Sequence, residues 1–171
     1  MSVGALAVRV VIGGLFVGHG MQKLAGWFGG PGLEGTDKMM EALDLHPTRR
    51  NAFLSAATET VCGGMLVAGL ATPVAAAGLV GSMITAIRTV HGPKGPWNSN
   101  GGWEYNAVLV ASLFALVESG PGAVSLDAAR GRARGGLGWA VGALAAGAAA
   151  STAIIEVGRR NARAHKAASE S

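Results

Sequence analysis

Five apolar windows alternate with polar connections along the chain. Residues 4 to 21 are apolar apart from Arg9 and His19, and the window extends to Lys23 or Ala25. Residues 53–71 are apolar apart from Glu59, and residues 74–90 are apolar until Arg88. Residues 105–117 form a shorter window, and residues 136–155 are rich in Ala and Gly with no charge. A spanning helix needs about 20 mostly apolar residues. Four windows reach that length, and the window after Tyr105 reaches it if Trp103, Glu104 and Glu118 sit in the interface. Spanning strands would be about ten residues long with alternating polarity. The pattern therefore predicts an all-α membrane helix bundle, with a four-helix core and a fifth, C-terminal transmembrane helix. The first window follows no basic segment and precedes no Ala-x-Ala site, so residues 4–25 read as a retained helix rather than a signal peptide.

The connections divide the chain further. Ala71-Thr72-Pro73 predicts a tight turn between the second and third helices. The first connection, residues 26–51, opens with a Gly-rich run holding Trp27 and Phe28, which belong at headgroup level. Thr36–Leu45 then reads as a short amphipathic helix, with Met39, Met40 and Leu43 at helical spacing and Thr36 as its cap. Gly14 and Gly18 form a GxxxG pair suited to a helix contact. The expected organisation is a four-helix membrane domain over 1–127, an Arg-rich link over 128–135, an extra transmembrane helix over 136–156, and a basic disordered tail over 157–171.

Composition sharpens the class. Half of the 171 residues are hydrophobic and only 14% are charged, against roughly 25% in average soluble domains. Mean hydropathy is +0.38 and the pI is near 9.8. A net charge of +4 would suggest nucleic acid in a soluble protein. Here the basic residues sit at window ends and in the tail, which points to lipid headgroups and no nucleic acid. Arg130, Arg132 and Arg134 are expected to be lipid-facing charge. Cys62 is the single cysteine, so no internal disulfide, CxxC couple or cysteine zinc site can form, and it reads as a packing residue. With five spans, the loops and tail on the N-terminal side hold 3 basic residues and those on the other side 8; without the fifth crossing the balance is 7 against 4. The positive-inside rule then points either way.

The order of crossings brings polar residues together. His19, Gln22 and Lys23 end the first helix, Glu59 lies about two turns into the second, Arg88 and His91 end the third, and Asn100, Glu104, Tyr105 and Asn106 open the fourth. All belong to the bundle end opposite the N-terminus. At the N-terminal end only Arg9 and Glu118 compare, and both are expected to reach the interface. Ionisable groups inside a membrane are costly, about 2.5–3.5 kcal/mol at a helix centre, so Glu59 and Arg88 are expected to pair with each other or with His19, Lys23 or Glu104. Two readings stay open: a closed ion-pair network that sets helix register, and a pocket for a small ligand, a quinone headgroup or a proton path. No metal site is expected, and His19 with His91 is a thin basis for haem ligation. No Walker loop, nucleophile elbow or HExxH motif occurs.

Several motifs in order carry a family resemblance. They are Arg9 with the run from Gly18 and His19 through Gly35, Glu59 with Gly63 and Gly64, the Gly69–Thr72 turn, Thr89 to His91, Asn100 to Tyr105, and Gly120 to Asp127. Over residues 4–127 the chain resembles the DoxX family of bacterial integral membrane proteins. The resemblance implies a four-helix, multi-pass core in the bacterial plasma membrane, an N-terminus in the cytoplasm, and a loose association with redox functions. The family's recurring polar residues map onto His19, Gln22, Lys23, Glu59, His91, Asn100, Glu104 and Tyr105. The sequence thus suggests a redox-associated membrane subunit, as part of a quinone-linked oxidoreductase. A quinone-like molecule would be bound by these residues together with Arg88, with Glu59 and His19 handling protons. The alternative is a non-catalytic organiser that recruits soluble oxidative-stress or sulfur-metabolism enzymes through its first loop or tail. A transporter, which would have to be at least a homo-oligomer, has less support, because no inverted repeat or broken helix pair is present.

Overall fold

The computed structural model describes residues 3–169, and every regular element in it is helical. The helices are α1 (Val3–Ala25), α2 (Gly32–Ala42), α3 (Thr48–Ala68), α4 (Thr72–Ala86), α5 (Glu104–Ser119), α6 (Leu126–Ala129) and α7 (Leu137–Ser169). A π-helical turn, Ile87–His91, and a 3-10 turn, Gly92–Lys94, prolong α4. Among the described residues three helices are long and apolar enough to cross a membrane: α1, α4 with its extension to Lys94, and α7. The other two windows fall short for separate reasons. The first turn of α3 carries Arg49, Arg50 and Asn51, and α5 is only 16 residues long. Both still face outward with apolar side chains: Val61 and Val108 are exposed, as are Val10, Val11 and Val141 on α1 and α7. Such a coat is costly in water and matched in lipid. The protein is an all-α membrane helix bundle.

Lipid is as apolar as leucine, so the helices are held by close packing rather than by a hydrophobic drive. α1 lies along α3, and α4 lies between α3, α5 and α7. A Cβ at Gly13 would stand 2.6 Å from the Gly63 carbonyl oxygen, and one at Gly147 would stand 2.9 Å from the Gly81 amide. Small residues at these crossings let the backbones touch. The expected contact through Gly14 and Gly18 is corrected: a Cβ at Gly14 would meet nothing within 4 Å. The glycines of α1 that touch α3 are Gly13 and Gly20 instead. Leu66, Leu79 and Leu113 fill the centre of the bundle.

Two local expectations change. The helix expected from Thr36 begins at Gly32, and Thr36 is no cap. It is fully buried inside α2, where its hydroxyl donates to the carbonyls of Gly32 at 2.8 Å and Lys23 at 3.2 Å. The expected disordered tail is instead helix as far as Ser169. Side-chain and backbone contacts hold it to the first loop. The His46 amide donates to Gly158 O at 3.2 Å, Asn161 donates to His46 O at 3.1 Å, and Lys166 pairs with Asp44 at 2.7 Å. At its other end α7 starts beside Leu70 and Ala71, where Trp139 shares a cavity with them. At 33 residues, α7 is about 50 Å long. It runs from one end of the bundle to the other, which outreaches the ~30 Å apolar thickness of a bilayer.

Candidate functional site

Lys23 and Glu59 meet across the α1–α3 crossing. Lys23 Nζ lies 2.7 Å from Glu59 Oε1 and 3.3 Å from Ser55 Oγ. Helical spacing prepares this, since Ser55 and Glu59 are one turn apart on α3 and His19 and Lys23 one turn apart on α1. The carboxylate side chain is 4% exposed and the lysine 22%. Glu59 Oε2 is buried and has no hydrogen-bond partner among the described residues. An ammonium has three donors, and two of those of Lys23 are engaged. The pair therefore keeps one donor and one acceptor in reserve.

Two cavities adjoin it, and both are lined by Lys23 and Glu59. The first, about 330 Å³, is walled by Phe16, Met39, Met83 and Leu109, with His19, His91 and Tyr105 as its polar edge. The second, about 270 Å³, lies between α2, α3, α4 and α7, with Thr58, Thr85 and Thr89 among its walls. Small-molecule sites are typically mostly apolar clefts of this size with a few convergent polar groups. The π-helical turn contributes directly. Its i→i+5 bonding keeps His91 on the face of Ala86, and both line the first cavity. His91 Nδ1 is 2.7 Å from the Gly101 carbonyl. A carbonyl only accepts, so Nδ1 carries a hydrogen in this contact.

The structure thus gathers His19, Lys23, Glu59, His91 and Tyr105 around one cavity. Four other predicted residues lie elsewhere. Arg88 does not pair with Glu59; it is exposed and donates to Thr152 Oγ1 on α7 at 2.9 Å. It lies two residues past Ala86, on another side of the helix. Gln22 packs against Gly30 of the first loop. Glu104 Oε1 accepts from the Asn98 amide at 2.7 Å and so caps its own loop. Asn100 is exposed in that loop, and it is Asn98 that reaches the cavity wall. Asn106 also reaches the wall, buried, with its amide donating to Met83 Sδ at 3.3 Å. It is the one amide inside the 105–117 window, a signal legible in the sequence. Met39 and Met83 carried none.

A second buried charge centre lies at the N-terminal end. Arg9, expected to reach the interface, is 1% exposed. Its guanidinium donates to the carbonyls of Pro121, at 2.9 Å, and Val124. It lies against Gly69, where any Cβ would collide with Nη1. Asp127 completes this centre by capping α4. Its oxygens accept from the Ala71 amide at 2.8 Å and from the Thr72 amide and hydroxyl at 2.9 Å each. Burial pushes the Asp127 carboxyl up, but these bonds and the nearby Arg130 charge outweigh it and hold it below its ordinary value.

A family profile described as DoxX matches residues 4–92. A Bacillus subtilis (strain 168) protein, CatD, named there as a candidate oxidoreductase, is 30% identical over 118 residues, which cover 69% of this chain and 81% of that protein. No solved structure matches the chain.

Proposed function

The chain belongs to the DoxX family, and from that footing we propose that it is a redox-associated membrane subunit that binds a quinone-like molecule in the cavity beside Lys23 and Glu59. The observation that carries the reading is the buried, unpartnered Glu59 Oε2 at the wall of an apolar cavity. The name of the Bacillus relative supports the redox part. A ring that carries an oxygen at each end, and alternates between accepting and donating hydrogen bonds, fits the reserve left by the pair. Lys23 supplies a hydrogen to a carbonyl oxygen, and Glu59 Oε2 accepts one from a hydroxyl. His19 is exposed at the rim and passes protons between the cavity and the outside. Met39, Met83 and Leu109 exclude water from the ring. A quinone supplies two-electron, two-proton chemistry when bound, and a partner oxidoreductase supplies the electrons. The protein sits in the bacterial plasma membrane as a multi-pass bundle in which α3 and α5 cross together with the three longer helices.

The test is to purify the full chain in mild detergent, extract bound lipid for quinone, and record reduced-minus-oxidised spectra. The expected result is stoichiometric quinone, lost in Glu59→Gln and His19→Ala and retained in the exposed control Lys38→Ala. A protein free of quinone, with no quinone-dependent activity alone or with partners, overturns the proposal. If that empty protein still draws soluble enzymes from a lysate, the organiser reading replaces it.

A further inference from the structure

The Arg-rich link folds into a site of its own at the opposite end of the bundle. Gly131 takes a left-handed turn (φ 64°), and the Arg132 amide is tied back to Asp127 O at 2.7 Å. The chain then runs without regular structure to Gly135. Arg130, Arg132 and Arg134 all line one cavity of about 200 Å³, floored by Leu70, Ala71, Pro73 and Val74 of the α3–α4 hairpin and closed by Trp139. Arg134 stands 4.8 Å from the centre of the Trp139 ring, a cation–π contact that holds it in place.

Three arginines face one carboxylate, Asp127, in this cavity, which leaves it with net positive charge. Among the described residues none of the three guanidinium groups makes an ion pair or a side-chain hydrogen bond. The Asp127 oxygens are taken by Ala71 and Thr72, and its charge is felt by both Arg130 and Arg9. Glu118 is exposed in the adjoining depression beside Arg134, without an ion pair to it. Three exposed arginines that line one small cavity offer planar forks to the oxygens of a phosphate group, which guanidinium binds in bidentate fashion. The apolar walls of the cavity are partly open: Val74 is 64% exposed and Trp139 44%, and Leu137 in the first turn of α7 is 64% exposed. The apolar window of α7 starts here, so the cavity lies where headgroups meet the hydrocarbon.

We propose that Arg130, Arg132 and Arg134 with Trp139 form a binding site for the phosphate of one anionic phospholipid headgroup, in contact with the α3–α4 hairpin. The site is separate from the Glu59 cavity and does not depend on the quinone reading.

The test uses the full chain in mild detergent and native mass spectrometry. Phosphatidylglycerol, phosphatidylcholine or inorganic phosphate is added. The expected result is one retained phosphatidylglycerol, no comparable retention of phosphatidylcholine, and no displacement by inorganic phosphate. Replacing all three arginines by Gln should weaken retention on the order of 100-fold, from the loss of three interfacial charges. Replacing them by Lys should restore only part of it, because the forked geometry is lost. Circular dichroism of each variant checks that the bundle is folded. Equal retention by the wild type and the folded Gln variant overturns the site, as does equal retention of phosphatidylcholine. Displacement of the lipid by inorganic phosphate assigns the site to soluble phosphate and overturns the lipid.

Discussion

The two buried charge centres, at opposite ends of the bundle, are built from the same kinds of group and left in different states. At the N-terminal end, Arg9 and Asp127 spend their polar atoms mostly on backbone: two carbonyls for the arginine, and two amides plus the Thr72 hydroxyl for the aspartate. Within that centre Arg9 Nε is without a partner among the described residues. That centre ties the α3–α4 hairpin to the segment after α5. At the other end, Lys23 and Glu59 hold each other and Ser55, leave a carboxylate oxygen unused, and face two cavities. A buried charge therefore does not by itself mark a binding site. The distinction lies in whether the surrounding backbone saturates the group, and in whether space adjoins what is left over. Saturation yields a structural clamp, and an unspent acceptor beside an apolar cavity is the arrangement on which the proposed ligand site rests.

The contrast predicts opposite responses to mutation. Asp127→Ala removes three hydrogen bonds to a charged acceptor and leaves Arg9 buried without its counter-charge. It should cost about 3–5 kcal/mol, read from thermal unfolding in detergent, while the folded fraction keeps its ligand. A loss of ligand without loss of stability would reverse the roles of the two centres. Glu59→Gln should do the converse. Quinone-dependent turnover should fall about 100-fold or more, with the midpoint of unfolding shifted less than in Asp127→Ala.

Acid should separate the centres next. Asp127 is held below its ordinary value in the folded protein. Its contribution is therefore fully present above the unfolded value, about 3.9, and is lost as the pH falls through the lower folded value. The thermal midpoint should drop below about pH 4 in the wild type and drop less steeply in Asp127→Asn. Equal slopes would remove Asp127 from the acid response. The smallest effect belongs to the exposed clasp of α7. The hydrogen bond from Lys166, with its charge, lowers the Asp44 carboxyl, but both partners are in water, where such pairs contribute little. Lys166→Ala should leave the thermal midpoint unchanged, and a clear fall would promote the clasp to a structural element.

Much of the site was legible because membrane cost filters polar residues. His19, Lys23, Glu59, His91 and Tyr105 stood out against apolar windows, and topology placed them at one end before any distance was known. Where such reasoning failed, the cause was rotation about a helix. Arg88 has the right height and the wrong face, because two residues beyond Ala86 turn it toward Thr152. Gly14 and Gly18 have the right spacing, yet Gly13 holds the contact face. Glu104 was drawn off by a local amide, and Asn98 took the wall position expected of Asn100. Apolar periodicity reports the mean face of a surface helix, but helices that are apolar on all sides give little phase information.

By itself, the sequence determined that the chain is an all-α membrane protein, where its long helices lie, and which end collects the ionisable groups. Those properties depend on the length and polarity of segments, which are local. Only the tertiary structure decided which groups meet and which are saturated. It paired Glu59 with Lys23 rather than Arg88, buried Arg9 against backbone carbonyls, and carried α7 past its apolar window to clasp the first loop. Each outcome depends on the rotation and register of helices packed at glycine contacts, and those follow from the fit of whole surfaces rather than from any one segment.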